Sequence, residues 1–230
     1  MSNPAPIAVA LDGPNLDTIV GWARQTSPHV STMKIGLETY LRDGDRAVEQ
    51  VREVSPERAI FLDLKLHDIP NTVAGAARSI AHLAPTYLTV HASGGSDMIK
   101  AAVDALPDTA ITAVTVLTSL DDAQLAAIGL QGPALDAARR LAELAVAAGA
   151  RAIVCSPQEV AAIRAVVPSN IVLVTPGVRP AGADQGDQAR VATPAQARAD
   201  GADLLVIGRP ITASADPAEA AKQIRAELIS

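Results

Sequence analysis

The chain has 230 residues, a net charge of −6, and few aromatic residues: one Trp, one Phe and two Tyr. Hydrophobic residues make up 49% of it, which excludes a disordered chain, and the few rings exclude a stacking surface for single-stranded nucleic acid. The single cysteine, Cys155, excludes an intramolecular disulfide and a cysteine-rich zinc site, and we interpret it as a small core residue.

No apolar run reaches the roughly 18 residues of a membrane span. Because the N-terminus also lacks the basic region of a signal peptide, we expect a cytoplasmic protein with neither a membrane nor a nucleic acid as partner.

Apolar runs of strand length alternate with longer segments of helical spacing. The runs are Ile7–Leu11, Thr32–Ile35, Ala59–Leu64, Tyr87–Val90, Ile111–Leu117, Ala152–Val154, Ile171–Val174 and Leu204–Ile207. Continuously apolar strands between helices predict a parallel sheet that is covered on both faces. Eight such units in 230 residues favour an α/β fold of the closed (β/α)8 type, a TIM barrel forming one domain over residues 1–230. An open doubly wound sheet is the alternative, but no Gly-x-Gly-x-x-Gly sequence follows the first run.

Local signals mark some of the helices between the runs. The segments Pro133–Ala148, Pro157–Val166 and Asp216–Leu228 have helical patterning. Asp216 is a plausible N-cap, with Pro217 at the first helical position and Glu219 three residues further on. Gly149 and Gly201 each precede a strand by a few residues, which is typical of the loop between a helix and the following strand.

Charged residues lie at or just after the ends of the first three runs. Barrel enzymes have their active sites at the carboxyl ends of the strands, so Asp12, Lys34, Asp63 and Lys65 are expected at one mouth. Asp63 and Lys65 lie two apart on one strand and therefore point the same way. With Asp68 they form an alternating acid–lysine–acid array that keeps the lysine charged. A solvated ion-pair cluster worth about 0–1 kcal/mol is the alternative.

Two loops late in the chain have the composition of a phosphate site. The runs Pro176-Gly177-Val178-Arg179 and Gly208-Arg209-Pro210 follow the seventh and eighth strands, where barrels often bind phosphate. Glycine lets backbone N–H groups approach an anion, and an arginine fork holds phosphate oxygens bidentately. A tight turn with a solvated arginine is the alternative for Gly208-Arg209.

The run from Asp63 to Thr72, DLKLHDIPNT, closely resembles the signature of the orotidine 5′-monophosphate decarboxylase family. Further segments match in order and spacing over essentially the whole chain: Ala-Leu-Asp12, Lys34-Ile-Gly, TVLTS at 115–119, TPGVRP at 175–180, GDQ at 186–188 and VIGRP at 206–210. The resemblance implies a cofactor-independent and metal-independent conversion of orotidylate to UMP and carbon dioxide. Asp12 would bind the ribose, and Lys34 would bridge the sugar and the charge array. Asp63 would face the scissile carboxylate, and Lys65 would donate the proton.

The resemblance also implies a homodimer with shared sites. Asp68 and Thr72 would reach into the neighbouring subunit's site, Ile69 would contact the substrate, and Thr118 would lie beside the pyrimidine ring. The residues that would hold the phosphate are Arg179, Gln188, Gly208 and Arg209, with the glutamine on a closing loop.

Three other functions remain open. Magnesium-dependent sugar-phosphate lyases share the barrel and the Asp-x-Lys-x-x-Asp run, but they carry an acid where this chain has Lys34, and a cation there repels a metal ion. A Schiff-base aldolase needs a lysine of lowered pKa, whereas neighbouring carboxylates act on Lys65 in the opposite direction. A phosphate-ligand sensor on an inactive barrel is the non-enzymatic alternative.

Overall fold

Eight parallel strands pair in sequence order and close into a barrel, with the last strand beside the first. The computed structural model describes residues 4–179 and 192–229. The strands are β1 (Ala5–Ala10), β2 (Val30–Gly36), β3 (Ala59–Leu66), β4 (Tyr87–His91), β5 (Ala110–Val114), β6 (Ala152–Val154), β7 (Val172–Thr175) and β8 (Leu204–Ile207). The predicted (β/α)8 barrel is thus confirmed.

Helices follow the strands around the outside of the barrel. They are α1 (Leu16–Thr26), α2 (Leu37–Asp43), α3 (Asp45–Val54), α4 (Pro70–Ser79), α5 (Ser96–Ala105), α6 (Asp122–Ala127), α7 (Ala134–Ala147), α8 (Val160–Arg164), α9 (Pro194–Ala199), α10 (Arg209–Thr212) and α11 (Pro217–Ile229), with short 3-10 helices at Ala81–Leu83 and Ala92–Gly94. Several bury alanine faces; α7 buries Ala137, Ala138, Ala142 and Ala145. Across the described ranges, every helix is too short or too polar to cross a membrane.

The core has two parts, which follow from the alternation of side chains along each strand. Outward-facing residues such as Ile7, Leu62 and Leu205 pack under the helices in one large cluster. A smaller cluster fills the barrel interior and consists of Ala8, Phe61, Ala152, Val174 and Leu204. The Phe61 ring meets Tyr87 edge-on, with 5.6 Å between centroids. Two aromatic rings thus pack together in an interior cluster whose other members are aliphatic.

The predicted elements agree with the observed ones to within a few residues, and the fifth strand shows the clearest difference. Its apolar run continues to Leu117, but the strand ends at Val114. Val116 is nevertheless buried. Val116 and Leu117 lie beyond the strand and line the cavity described below. The predicted cap of α11 is present, with the Asp216 carboxylate accepting the Glu219 N–H at 3.0 Å.

Candidate active site

The charged residues predicted at the mouth of the barrel form one connected cluster. Lys34 Nζ, at the end of β2, lies 3.3 Å from Asp12 Oδ2 and 3.3 Å from Asp63 Oδ2. The other oxygen of that second carboxylate, Asp63 Oδ1, lies 2.7 Å from Lys65 Nζ. The order is Asp12, Lys34, Asp63, Lys65, so unlike charges alternate. We call these four residues the charge array.

Lys34 is the most buried member of the charge array, with 6% of its surface exposed. Burial by itself would lower the pKa of its ammonium group. The charges of Asp63 and Asp12, with hydrogen bonds to both, outweigh the burial and hold the pKa above its ordinary value. Lys34 is therefore charged at neutral pH and fixes the positions of two carboxylates.

Asp63 joins the two lysines. Burial alone would raise the pKa of its carboxyl group, but the Lys34 and Lys65 ammonium groups and hydrogen bonds from Lys65 and Thr89 lower it below the ordinary value. The side chain is 13% exposed, so this carboxylate is ionised in a site with little solvent. Two positive and two negative charges leave the charge array close to neutral.

Lys65 reaches Asp63 by a route that simple strand alternation does not describe. Its backbone φ is +48°, in the left-handed region that a residue with a β-carbon rarely adopts. The β3–β4 register shifts between Leu62 and Leu66 at the same place. The predicted proximity of Asp63 and Lys65 is observed, but within an irregular strand end.

Thr89 holds this irregular strand end, a role that was not predicted from the sequence. Its buried hydroxyl accepts the Lys65 backbone N–H at 2.8 Å and donates to Asp63 Oδ1 at 3.0 Å. A signal was available, because Thr89 lies two residues before His91 on β4 and so shares the inward face with a residue at the mouth. Threonine is common in strands, which concealed its role.

Gly36 leaves the space that the charge array occupies. A β-carbon built there would lie 2.5 Å from Asp12 Oδ1 and 3.0 Å from Lys34 Nζ. The φ of −88° is accessible to any residue, so the close approach, rather than backbone strain, accounts for glycine at this position.

The structure places Asp68, Ile69 and Thr72 differently from the charge array. All three are exposed, and the Asp68 carboxylate accepts the backbone N–H of Ile69 at 2.6 Å. Among the described residues no salt bridge joins Asp68 to Lys65, so the acid–lysine–acid array expected within one chain is not formed there. The structure forms its array with Asp12 and Lys34 because strand neighbours meet at the mouth, whereas Asp68 lies beyond the end of β3.

A cavity of about 210 Å³ opens beside Asp63 and Lys65. The charged pair lies on one side, and most of the wall is aliphatic; the lining residues are Phe61, Asp63, Lys65, Val114, Val116, Leu117, Thr118, Val154, Cys155, Val174, Pro176 and Val206. Thr118 thus lines the cavity, and its place beside a pyrimidine ring stays a prediction. Cys155 is fully buried, and burial raises the pKa of its thiol, which agrees with a core residue rather than a nucleophile.

The candidate phosphate residues lie after β7 and β8. Arg179 is 9% exposed, and its guanidinium donates to the Val178 carbonyl at 3.0 Å. Gly208 caps the short helix α10, of which Arg209 is the first residue. Loops after the last two strands together with a short extra helix are the usual phosphate site of barrels. Gln188 lies outside the described residues.

Fold and site together define the class of protein: a (β/α)8-barrel with an ionised lysine–aspartate cluster beside a cavity at the carboxyl ends of its strands, which is where barrel enzymes have their active sites. Residues 5–224 match the model of the orotidine 5′-phosphate decarboxylase / HUMPS family. The chain belongs to this family.

Named relatives and a solved structure agree with that assignment. A protein of Thermobifida fusca named orotidine 5′-phosphate decarboxylase is 67% identical over 224 residues, covering 97% of this chain and 96% of the relative. A protein of Frankia casuarinae with the same name is 53% identical, covering 97% and 88%. The crystal structure of orotidine 5′-phosphate decarboxylase from Lactobacillus acidophilus superimposes with a TM-score of 0.83 at 35% identity, covering 98% of this chain and 99% of that one.

Proposed function

We propose that this chain converts orotidine 5′-monophosphate to UMP and carbon dioxide in pyrimidine biosynthesis, acting through the charge array without a metal or organic cofactor. The observation that carries the proposal is Lys65 Nζ held 2.7 Å from Asp63, at the wall of a cavity. The Thermobifida fusca relative, named for this reaction, is 67% identical over nearly the whole chain.

The cavity and the loops beside it suit the parts of this substrate. The pyrimidine ring would lie between the aliphatic walls of the cavity, with Thr118, one of the lining residues, beside its polar edge. Arg179, Gly208 and Arg209 follow β7 and β8, where the 5′-phosphate would bind, and Gln188 would join them. Asp12 follows β1 and Lys34 lies near the end of β2, the two strands between β8 and β3 in the barrel, and both would bind the ribose hydroxyls. Phosphate binding far from the reacting carbon supplies energy that favours the transition state.

Decarboxylation breaks the bond between ring carbon C6 and the carboxylate. Carbon dioxide leaves without the bonding electrons, which remain on C6 as a carbanion. The Lys65 ammonium, already in place and charged, stabilises that developing negative charge more than it stabilises the substrate. It then transfers a proton to C6, which yields UMP and a neutral lysine that solvent protonates again.

Asp63 has two parts in this proposal. It fixes Lys65 in one position through the 2.7 Å contact, and it places a carboxylate beside the departing carboxylate of the substrate. Repulsion between these two carboxylates raises the energy of the bound substrate relative to the transition state. The repulsion is relieved as carbon dioxide leaves. Because the pKa of Asp63 is lowered, the carboxylate is ionised throughout the neutral range.

Magnesium-dependent sugar-phosphate chemistry is less compatible with this site. A divalent cation needs carboxylate or carbonyl oxygens without nearby positive charge. Here the Lys34 ammonium lies 3.3 Å from oxygens of both Asp12 and Asp63, and Lys65 takes the remaining oxygen of Asp63. The carboxylates of the charge array are therefore already neutralised by lysines.

We further propose a cytoplasmic homodimer in which Asp68 and Thr72 reach the partner's site, with Ile69 as a substrate contact. Large apolar side chains are exposed on α2 and at the start of α4: Leu41 by 78% and Leu37 by 44% on α2, and Ile69 by 66% just before α4. A shallow apolar groove of about 200 Å³ joins α2, β3 and α4; its lining residues are Leu37, Tyr40, Leu41, Leu64, Leu66, Ala76, Ser79 and Ile80. A second copy of the chain would cover this surface.

An absorbance assay tests the proposed reaction: purified protein is mixed with orotidylate in the presence of EDTA. We expect conversion to UMP that is lost in Lys65→Ala while the variant unfolds at a similar temperature. Conversion that depends on added magnesium, or that survives in Lys65→Ala, would contradict the proposal. Borohydride trapping with a carbonyl substrate would reveal a Schiff base at Lys65 instead, and tight binding of orotidylate without turnover would indicate a sensor.

A further inference from the structure

Helix α2 contacts the backbone on both sides of Asp12. The hydroxyl of Thr39 donates to the Leu11 carbonyl at 2.7 Å, and Arg42 Nη1 donates to the Gly13 carbonyl at 2.5 Å. Positions three apart on a helix share a face, so Thr39 and Arg42 lie together. They hold the two carbonyl groups next to Asp12 in the chain. We call Thr39 and Arg42 the α2 clamp.

The α2 clamp acts where the sheet no longer restrains the chain. Strand β1 ends at Ala10, and the Leu11 N–H donates to the Lys34 carbonyl at 2.9 Å. Beyond this bond, the hydrogen bonds that described residues make to the carbonyls of Leu11 and Gly13 come from α2, while Ile19 and Trp22 of α1 pack closely against Gly13. A substrate-binding side chain needs to be held within about 0.5 Å of its working position, and a side chain on a loop needs such support from its surroundings.

Both members of the α2 clamp are themselves fixed. Thr39 is fully buried, and a buried hydroxyl donating to a buried carbonyl is costly to remove. Arg42 donates to a single carboxylate oxygen, Asp43 Oδ2, through Nε at 2.9 Å and Nη2 at 2.6 Å, and these two charge-assisted bonds orient the guanidinium. The remaining nitrogen, Nη1, is then directed at the Gly13 carbonyl and also lies 3.9 Å from Glu38 Oε1.

The same stretch of chain also bounds the Asp12 carboxylate. Lys34, two residues before the end of β2, lies 3.3 Å from Asp12 Oδ2, and a β-carbon at Gly36 would lie 2.5 Å from Asp12 Oδ1. Helix α2 begins at Leu37, directly after Gly36. Lys34 and Gly36 therefore lie against the carboxylate of Asp12, while the α2 clamp holds the backbone on both sides of Asp12.

We infer that Thr39 and Arg42 are positioning residues that set the place of Asp12, and through it the recognition of the ribose of the substrate. The inference rests on the proposed function, in which Asp12 binds the sugar hydroxyls. Without the α2 clamp the loop carrying Asp12 moves. The affinity for the nucleotide then falls more than the rate of the chemical step at Lys65.

Steady-state kinetics with orotidylate test the inference through KM and kcat separately. We expect Thr39→Val and Arg42→Met each to raise KM about tenfold with a smaller change in kcat. Thr39→Ser, which keeps the hydroxyl, should restore KM. Matched controls are Thr109→Val and Arg151→Met, because these residues donate to the Pro85 and Pro107 carbonyls at 2.8 Å at the opposite end of the barrel.

A double-mutant cycle with Asp12→Asn separates positioning from general destabilisation. If Thr39 acts through Asp12, Thr39→Val should add less than twofold to the KM of Asp12→Asn. The inference would be overturned if Thr39→Val raised the KM of Asp12→Asn by as large a factor as it raises the KM of the wild type. It would also be overturned if Thr39→Val and Thr109→Val changed KM equally. In both cases the wild-type enzyme is still active. A folded wild-type chain that does not convert orotidylate would overturn the proposed function, and with it this role of the α2 clamp.

Discussion

Thr89 donates a hydrogen bond to Asp63 at 3.0 Å, and its oxygen accepts the backbone N–H of Lys65 at 2.8 Å. One hydroxyl thus joins the carboxylate at the centre of the charge array to the backbone of the proposed proton donor. Because Lys65 has a φ of +48°, its backbone depends on such external support.

Replacement of Thr89 by Val should therefore affect both stability and turnover. The Lys65 N–H loses its acceptor, and we expect unfolding to become easier by about 1–3 kcal/mol. We expect kcat to fall about tenfold, because the ammonium is less well positioned. Urea unfolding and the orotidylate assay measure the two effects.

The matched variant for this test is Thr112→Val. Thr112 is also fully buried on the neighbouring strand, but its hydroxyl donates to the Ala110 carbonyl two residues away at 2.9 Å. It should change kcat little, and Thr89→Ser should keep most of the wild-type rate. Equal kcat values for Thr89→Val and Thr112→Val would rule out the proposed support of Lys65.

Gly36→Ala tests the packing of the charge array without disturbing the backbone. The added β-carbon would lie 2.5 Å from Asp12 Oδ1 and 3.0 Å from Lys34 Nζ, so the carboxylate must move away from residue 36 and the contacts of the charge array change. We expect kcat/KM for orotidylate to fall at least about tenfold and the unfolding free energy to fall by about 1–3 kcal/mol.

A glycine in open space provides the comparison. Gly21 lies in α1, and a β-carbon there meets no atom within 4 Å. Gly21→Ala should keep wild-type kinetics and gain up to about 1 kcal/mol of stability from helix propensity. Wild-type kinetics in Gly36→Ala would show that the charge array tolerates a larger separation than the structure suggests.

The barrel was predictable because its strands are buried on both faces and therefore appear as separate apolar runs. The members of the charge array were predictable for a related reason: a charged residue such as Lys34, inside an apolar run, needs a partner nearby. The position of Asp68 relative to Lys65 was not predictable in the same way, because it depends on the path of the chain after the end of β3.

The contacts that support the array were not predictable in this way. Thr39 reaches the Leu11 carbonyl across 28 positions and Thr89 reaches Asp63 across 26, and buried threonines are common in strands and helices without such roles. The left-handed backbone of Lys65 also leaves no mark on residue type, because glycine or asparagine is the usual signal for it.

Asp63→Asn should reveal the charge balance of the site through the pH dependence of stability. Removing one charge of a buried set leaves Lys34 and Lys65 with less compensation, so we expect a loss of about 3–5 kcal/mol at neutral pH. The pKa of Asp63 is lowered from its ordinary value of 3.8. Its contribution is therefore present above that value and is lost as the pH falls through the lower pKa of the folded state.

The wild type and Asp63→Asn should consequently converge in stability as the pH is lowered, which urea unfolding at a series of pH values measures. Asp104→Asn is the control, because Asp104 forms an exposed pair with Lys100 at 3.0 Å worth about 0–1 kcal/mol. A difference between wild type and Asp63→Asn that stays constant below pH 3.8 would contradict the assignment of the buried charge to this carboxylate.

Mixing two inactive variants tests whether Asp68 works in the partner's site. Lys65→Ala and Asp68→Ala should each be nearly inactive alone. In a mixed dimer, the site that keeps Lys65 receives an intact Asp68 from the other chain, whereas the second site lacks both residues. Random exchange of subunits in a twofold dimer should then restore about a quarter of the wild-type activity.

The activity regained on mixing the two variants should require dimer formation. Adding Leu41→Glu to both chains places charge at a side chain that is 78% exposed, so the single chain should still fold while the apolar surface no longer pairs. Activity should then stay near zero after mixing. If Asp68 instead serves the Lys65 of its own chain, no mixture regains activity, and the exposed position of Asp68 beyond β3 must have another reason.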